Sequence, residues 1–207
     1  DVNGFSLLTG TTRTENSTLT LTVDARLNNK IYELLDTEHN AAVLVCNYKT
    51  GELLGMVSAP TVDPLDVENG VPDGAYLNRC LSAAFTPGST FKPVTAIAAL
   101  ETGIITPKST ILTKGVYHYG DWAYKCWLYN QNGGTHGRID VTEAIKVSCN
   151  YFFYDIGRRT GISTIARYAS AFGLGEPTGI EIPEKIGVMT TPDYVNSLDG
   201  HYWTDGQ

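Results

Sequence analysis

A chain of 207 residues, 42% apolar and 18% charged, has the make-up of an ordinary globular protein of one domain or two, with ample material for a core. Its formal net charge of -7 argues against a general nucleic-acid surface or a polybasic membrane face. No run approaches the length of a transmembrane helix, and Asp1-Val2-Asn3-Gly4 has neither the charged start nor the apolar stretch of a signal peptide, so any leader or anchor is expected upstream.

In chain order, the alternation in Thr18–Val23 ("TLTLTV") predicts a strand. Asp24 then reads as the N-cap of a helix running to about Asp36, with Leu27, Ile31, Leu34 and Leu35 at helical spacing. Two short buried strands follow, about Ala42–Cys46 and Leu53–Ser58, and Asn47 to Glu52 supply the turn of a hairpin. Pro60 to Gly74 is rich in Pro, Asp and Gly and reads as a loop. A helix is predicted from Ser89 to about Glu101, closed by Gly103. Thr113 to Gly137 is aromatic, Gly-rich and aperiodic, and is expected to be a long connection. Asp140, with Glu143 three residues on, marks the next helix start. Two further helices, in "NYFFYDIGRRTG" and "ISTIARYASAFGLG", each end on glycine, and the tail from Glu176 is broken by Pro and Gly. A hairpin followed by helices predicts an α/β (α+β) layered domain whose sheet has only begun, with further strands expected after Gln207.

Cys46, Cys80, Cys126 and Cys149 form no C-x-x-C pair and no zinc spacing, and His39, His118, His136 and His201 are scattered. The spacing therefore predicts no metal site and no cofactor, and it reads the cysteines as core or loop thiols.

The stretch "FTPGSTFKPVTAIAALE" places Ser89 and Lys92 three residues apart at a helix start, on one face and within reach of each other. Pro93 is tolerated there because the first helical N–H groups have no intrahelical partner. Those free N–H groups and the positive end of the helix dipole favour a developing anion. A serine becomes a nucleophile when a base takes its proton, and a lysine serves if burial or a neighbouring cation keeps it neutral. By itself S-x-x-K is a weak pattern, most often a surface serine and a solvated lysine. Here it is the only one in the chain, and Ser148-Cys149-Asn150 adds a hydroxyl and an amide at S-x-N spacing. Those two groups can relay a proton and grip a substrate amide.

"PGSTFKP" followed by "SCN" resembles the transpeptidase domain of penicillin-binding proteins, whose motif set is S-x-x-K, S-x-N and K-T-G. The stretch "AAVLVCNYKTGELLGMVSAPTVDP" is similar to that family's opening hairpin, and "NRC" at 78–80 to the segment before the serine. "KCW", "GGTHGRIDVTEAIKVSCNYFFYDIG" and "FGLGEPTGIEIP" resemble the middle of monofunctional, class B members, and the likeness runs from about Thr18 to about Gly187. The resemblance implies a partial penicillin-binding protein/serine β-lactamase-like fold. Residues 1–17 would end a pedestal or linker, and 18–207 would be the N-terminal part of the transpeptidase domain.

It also implies roles. Ser89 would attack D-Ala-D-Ala stem peptides and hold the acyl-enzyme, with Lys92 as its base. Ser148 would relay a proton to the leaving group, and Asn150 would bind the substrate amide and help position Lys92. β-Lactams would acylate the same serine. No cofactor is implied. The implied partners are peptidoglycan stem peptides, β-lactams and other cell-wall synthesis proteins, at the extracytoplasmic face of a bacterial membrane, with the membrane reached only through an anchor outside this chain. A β-lactam sensor, a D,D-carboxypeptidase and a β-lactamase share the serine and lysine and stay open as alternatives, although "LLTGTTRTENSTLTLTVD" resembles the approach from a pedestal and favours the transpeptidase. One departure matters: no K-T-G or K-S-G follows Asn150. Lys49-Thr50-Gly51 precedes the serine and reads as turn chemistry. Residues 1–207 alone are therefore expected to be inactive and to leave an unpaired apolar edge on the hairpin.

Overall fold

The computed structural model describes residues 18–35, 40–63 and 65–199. They fall into two compact units that divide after Ser82.

In the first unit, helix α1 (Ala25–Leu34) starts where its cap dictates. Asp24 Oδ1 accepts from the N–H groups of Arg26 and Leu27 at 2.8 and 3.2 Å, occupying two of the free donors at the helix start. The helix was expected to reach Asp36, which lies outside the described residues. Strands β1 (Ala41–Cys46) and β2 (Leu53–Ala59) pair antiparallel from Ala41 opposite Ala59 to Val45 opposite Gly55. Beyond that pair the register slips by one residue at Leu54, a bulge that leaves its carbonyl to accept from Asp24 N at 2.9 Å. Gly55 faces α1 across the bulge. A Cβ there would sit 3.2 Å from both Asn28 Oδ1 and Ile31 Cδ1, so the helix lies this close to the strand only over glycine.

The hairpin turn accounts for Lys49-Thr50-Gly51. Asn47 Oδ1 accepts from Lys49 N, Asn47 O accepts from Gly51 N, and Gly51 has φ +80°. Thr18–Val23 departs from expectation and forms no strand. Leu19 and Leu21 are exposed, and the segment meets β2 through Thr22 Oγ1 donating to Leu53 O at 2.6 Å rather than through a ladder. Alternation supplies a strand's two faces but not the neighbour that must take its backbone bonds. A 3-10 turn at Val67–Asn69 interrupts the predicted loop, and the short helix α2 (Arg79–Ser82) follows it. Arg79 is buried, and among the described residues its guanidinium meets carbonyl oxygens and no carboxylate.

The second unit is built on helix α3 (Lys92–Glu101), whose buried face is Thr95, Ala96, Ala98 and Ala99. Small side chains there let neighbouring helices approach closely. The helix closes as predicted: Gly103, at φ +72°, donates its N–H to Leu100 O. Its start differs from expectation. Gly88–Phe91 is a 3-10 turn, and the α-helix begins only at Lys92 with Pro93 in its first turn.

The region expected to be a plain connection is folded. Strand β3 (Ile111–Thr113) pairs with a later strand, while β4 (Val116–Tyr119) and β5 (Trp122–Lys125) make a hairpin over Gly120-Asp121. Tyr119 faces Trp122 across that two-residue turn, and Gly120 takes φ +55°. Helix α4 (Trp127–Asn132) and strand β6 (Gly137–Ile139), the partner of β3, complete the stretch. Helix α5 (Val141–Lys146) is capped by Asp140, whose Oδ1 accepts from Glu143 N at 2.9 Å. Helix α6 (Asn150–Thr160) ends at Gly161, helix α7 (Ile162–Ala171) follows it, and helix α8 (Pro192–Asp199) forms in the tail. The core gathers Ala96 and Ala99 of α3, Ile139 of β6, Ala144 of α5 and Phe152, Phe153 and Ile156 of α6, together with Cys126 and Cys149. Helices and short strands thus mix in an α/β arrangement, as predicted.

Candidate active site

Ser89 sits on the exposed 3-10 turn, directly after Gly88 at φ +56°. Lys92, the first residue of α3, is half-buried, and its backbone N–H bonds to Ser89 O. Its side chain turns toward the 148–150 segment between α5 and α6. Lys92 Nζ donates to Ser148 O at 2.8 Å, Ser148 Oγ at 2.9 Å and Asn150 Oδ1 at 2.7 Å. Those three bonds use all three hydrogens of an ammonium. The Phe153 ring lies 5.5 Å away on another side. Among the described residues no hydrogen bond joins Nζ to Ser89 Oγ, so Ser148 and Asn150 fix the amine rather than the serine it follows.

The acceptors are held in an unusual backbone. Ser148 has φ +51°, the one non-glycine residue with positive φ among the described residues. That conformation costs a residue with a Cβ about 1–2 kcal/mol, and strain of this kind concentrates at functional sites. Several bonds hold it in place. Ser148 N donates to Ile145 O, Cys149 N to Ala144 O, and Trp127 Nε1 to Val147 O at 3.0 Å. The positive φ turns both the carbonyl and the hydroxyl of Ser148 to one amine.

Burial pushes the Lys92 amine below its ordinary value, with the Cys126 and Cys149 thiols pulling weakly the other way. A lysine that gives up its proton more readily beside a hydroxyl and an amide oxygen is equipped to accept a proton and hand it on.

The fold also assembles a group that sequence spacing did not disclose. One donor atom each of Cys126, His136 and Cys149 lie within 4.8 Å of one another. Cys126 precedes α4, His136 precedes β6, and Cys149 stands between Ser148 and Asn150. Both thiols are buried and free. Burial drives the Cys149 thiol up to about 11. Burial acts on Cys126 in the same sense, but the backbone N–H groups of Tyr151, Leu128 and Asn150 outweigh it and hold that thiol below its usual value. Burial also lowers His136. Two thiols and an imidazole are ligands that suit zinc.

Residues 41–205 match the family model of the penicillin-binding protein transpeptidase domain. This chain belongs to that family. It is 34% identical over 205 residues to the peptidoglycan D,D-transpeptidase MrdA of Salmonella typhimurium, an alignment covering 90% of this chain and 31% of that protein. Among solved structures it is similar to Pseudomonas aeruginosa PBP2 in complex with WCK 5153, with TM-score 0.78 and 27% identity over 90% of this chain and 44% of that one. It is likewise similar to PBP2 in its complex with MreC from Helicobacter pylori, with TM-score 0.78 and 26% identity over 89% of this chain and 36% of that one. The chain thus spans about a third of the length of the MrdA relatives it matches. Within the transpeptidase family fold, the S-x-x-K and S-x-N segments occupy one site in the second unit, 56 residues from Lys92 to Ser148. Among the described residues no helix is long and apolar enough to cross a membrane.

Proposed function

We propose that this chain supplies the nucleophile, base and proton relay of a peptidoglycan D,D-transpeptidase acting at the extracytoplasmic face of a bacterial membrane. The observation that carries the reading is the three-way hold of Ser148 and Asn150 on Lys92 Nζ, with Ser89 one turn away. In this reading residues 18–207 are the N-terminal part of a transpeptidase domain, and residues 1–17 lead into it.

Neutral Lys92 takes the proton of Ser89, and Ser89 Oγ bonds to the carbonyl carbon between the two D-alanines of a stem peptide. The Ser89 N–H faces the oxyanion that forms. As the intermediate collapses, the peptide C–N bond breaks. The proton on Lys92 passes through the Ser148 hydroxyl to the departing amine, and terminal D-Ala leaves. The Asn150 amide holds the substrate amide while its Oδ1 keeps the lysine in place. An acceptor amine from a second stem then attacks the ester, the cross-link forms, and Ser89 recovers its proton. A β-lactam follows the first half of this path. Other cell-wall synthesis proteins are the expected partner class, by analogy with the PBP2–MreC complex.

The test is covalent labelling. The full-length gene product is incubated with fluorescent penicillin and the adduct is mapped by mass spectrometry. A single adduct on Ser89, absent from Ser89→Ala, is expected. An adduct elsewhere, or labelling that survives Ser89→Ala, overturns the assignment.

A further inference from the structure

We infer that Trp127 is a positioning residue of the proposed acyl transfer, its indole N–H setting the direction of the Ser148 hydroxyl. The inference rests on the reading given above and adds to it a residue that neither motif contains.

Two peptide units meet at the Ser148 Cα, and each is gripped at both ends. In the first, Val147 O accepts from Trp127 Nε1 at 3.0 Å, and Ser148 N donates to Ile145 O at 3.1 Å. In the second, Ser148 O accepts from Lys92 Nζ at 2.8 Å, and Cys149 N donates to Ala144 O at 2.9 Å. Ser148 sits between these planes at φ +51°, a conformation that is unfavourable for a residue with a Cβ and persists only where its surroundings hold it. Fixing both planes fixes the backbone rotations at Ser148. The Cα–Cβ bond then carries Oγ to its place 2.9 Å from Nζ. Ile145 and Ala144 belong to α5, which runs straight into the turn, and Lys92 is the group being served. Trp127, the first residue of α4, is the anchor from outside.

The exposure of the indole separates this role from plain packing. A tryptophan placed to fill a core would be buried, whereas Trp127 is 43% exposed, with its ring resting against His136 at 5.5 Å. Val147 O lies at the C-terminal end of α5, among the carbonyls that a helix leaves unpaired. In so open a place water can satisfy such a carbonyl. Water does not fix the direction of the peptide, however. An indole with two side-chain torsions and a single donor does. The indole therefore contributes geometry more than stability. That geometry matters because the Ser148 hydroxyl has to take a proton from Lys92 and deliver it to the leaving amine, and proton transfer tolerates little misalignment.

A double-mutant cycle distinguishes aiming from support. Position 127 of the full-length gene product carries Trp, Phe or β-(3-benzothienyl)alanine, a near-isostere of tryptophan with sulfur in place of the N–H. Each is combined with Ser148 and with Ser148→Ala, and the rate of Ser89 labelling by fluorescent penicillin is followed in every combination. With Ser148 present, either replacement of Trp127 should slow labelling roughly tenfold, in line with the loss of one hydrogen bond. With Ser148→Ala the same replacement should cost less than about twofold, because the group being aimed is already gone. Equal losses in both backgrounds, or no loss in either, overturn the positioning role. The isostere keeps the packing of the ring, so its result decides the matter even where Trp127→Phe fails to fold. Wild-type protein that is not labelled at Ser89 overturns the underlying reading and the inference with it, whereas labelling at Ser89 with equal losses overturns the inference alone.

Discussion

Lys92 Nζ and Asn150 Oδ1 are 2.7 Å apart although 58 residues separate them in sequence. With Ser148 Oγ on the same amine, the contact makes Lys92 the meeting point of the two motifs. The lysine is steered by the turn between α5 and α6, and the exposed serine on the 3-10 turn is left free to meet a substrate.

Replacing Lys92 by arginine keeps a positive charge and roughly the reach but removes a group that can be neutral near pH 7. Acylation of Ser89 by penicillin should fall by roughly 10²–10⁴-fold, the usual worth of a general base, with circular dichroism unchanged. Near wild-type labelling in Lys92→Arg would show that the amine acts only through its charge or packing.

The pH dependence comes from the same residue. In the proposed mechanism the neutral form is the base, and burial lowers the pKa of Lys92, so the competent fraction grows as pH rises and does so earlier than for a solvated lysine. The rate of acylation should therefore climb above neutrality and level off at a half-point below the ordinary lysine value of 10.5. Stopped-flow acylation across pH measures this directly. A rate that falls as pH rises over that range would give the base role to another group.

Ser148 separates backbone strain from chemistry. Ser148→Ala removes the hydroxyl and keeps a Cβ at φ +51°, whereas Ser148→Gly removes the hydroxyl and relieves the conformation. The glycine variant should be the more stable of the two by about 1 kcal/mol, the left-handed cost of a Cβ less the added freedom of glycine in the unfolded chain. Both should lose acylation to the same degree, because Lys92 loses its Oγ partner in each. Urea denaturation and penicillin labelling of the pair test the two halves separately.

What the sequence disclosed was local. Asp24 and Asp140 were readable as caps because a cap is a bond between a side chain and N–H groups two or three residues on. Ser89 and Lys92 were readable as near neighbours in one short stretch, but among the described residues no hydrogen bond joins Nζ to Ser89 Oγ, and the amine is held by Ser148 and Asn150 instead. The grip of Ser148 and Asn150 on Lys92 was not readable from spacing, since it depends on how α3 and α6 pack. The family likeness pointed to it instead. The β4–β5 hairpin was missed although "YGDW" carries a two-residue Gly-Asp turn between aromatic runs, because strands of four residues are too short for a periodicity to stand out. Thr18–Val23 erred the other way, as an alternating pattern with no partner strand. Cys126 and His136 are ten residues apart, and Cys149 arrives from a third loop, so no linear spacing rule finds them.

Arg79 offers a test within the first unit. It is 6% exposed, and its guanidinium donates to Gly74 O at 3.0 Å and to Asn40 Oδ1 at 2.6 Å, with a longer bond to Leu77 O. Among the described residues three acceptors and no carboxylate share one planar fork, and a Cβ on Gly74 would come within 2.8 Å of Nη2, so the carbonyl is drawn up close to the cation. Arg79→Ala would remove a buried side chain and its charge-assisted hydrogen bonds to Gly74 O, Leu77 O and Asn40 Oδ1, which lie on exposed residues, at a cost of about 2–3 kcal/mol. Arg79→Lys should recover little, because a single ammonium cannot reproduce a rigid fork aimed in several directions. The loss should be local, so the informative measurement is hydrogen exchange of the β1–β2 amides. Their protection should fall roughly 10²-fold in Arg79→Ala, in line with the energy above. If protection is unchanged, the buried arginine contributes nothing to holding the hairpin and the loop at 74–77 together.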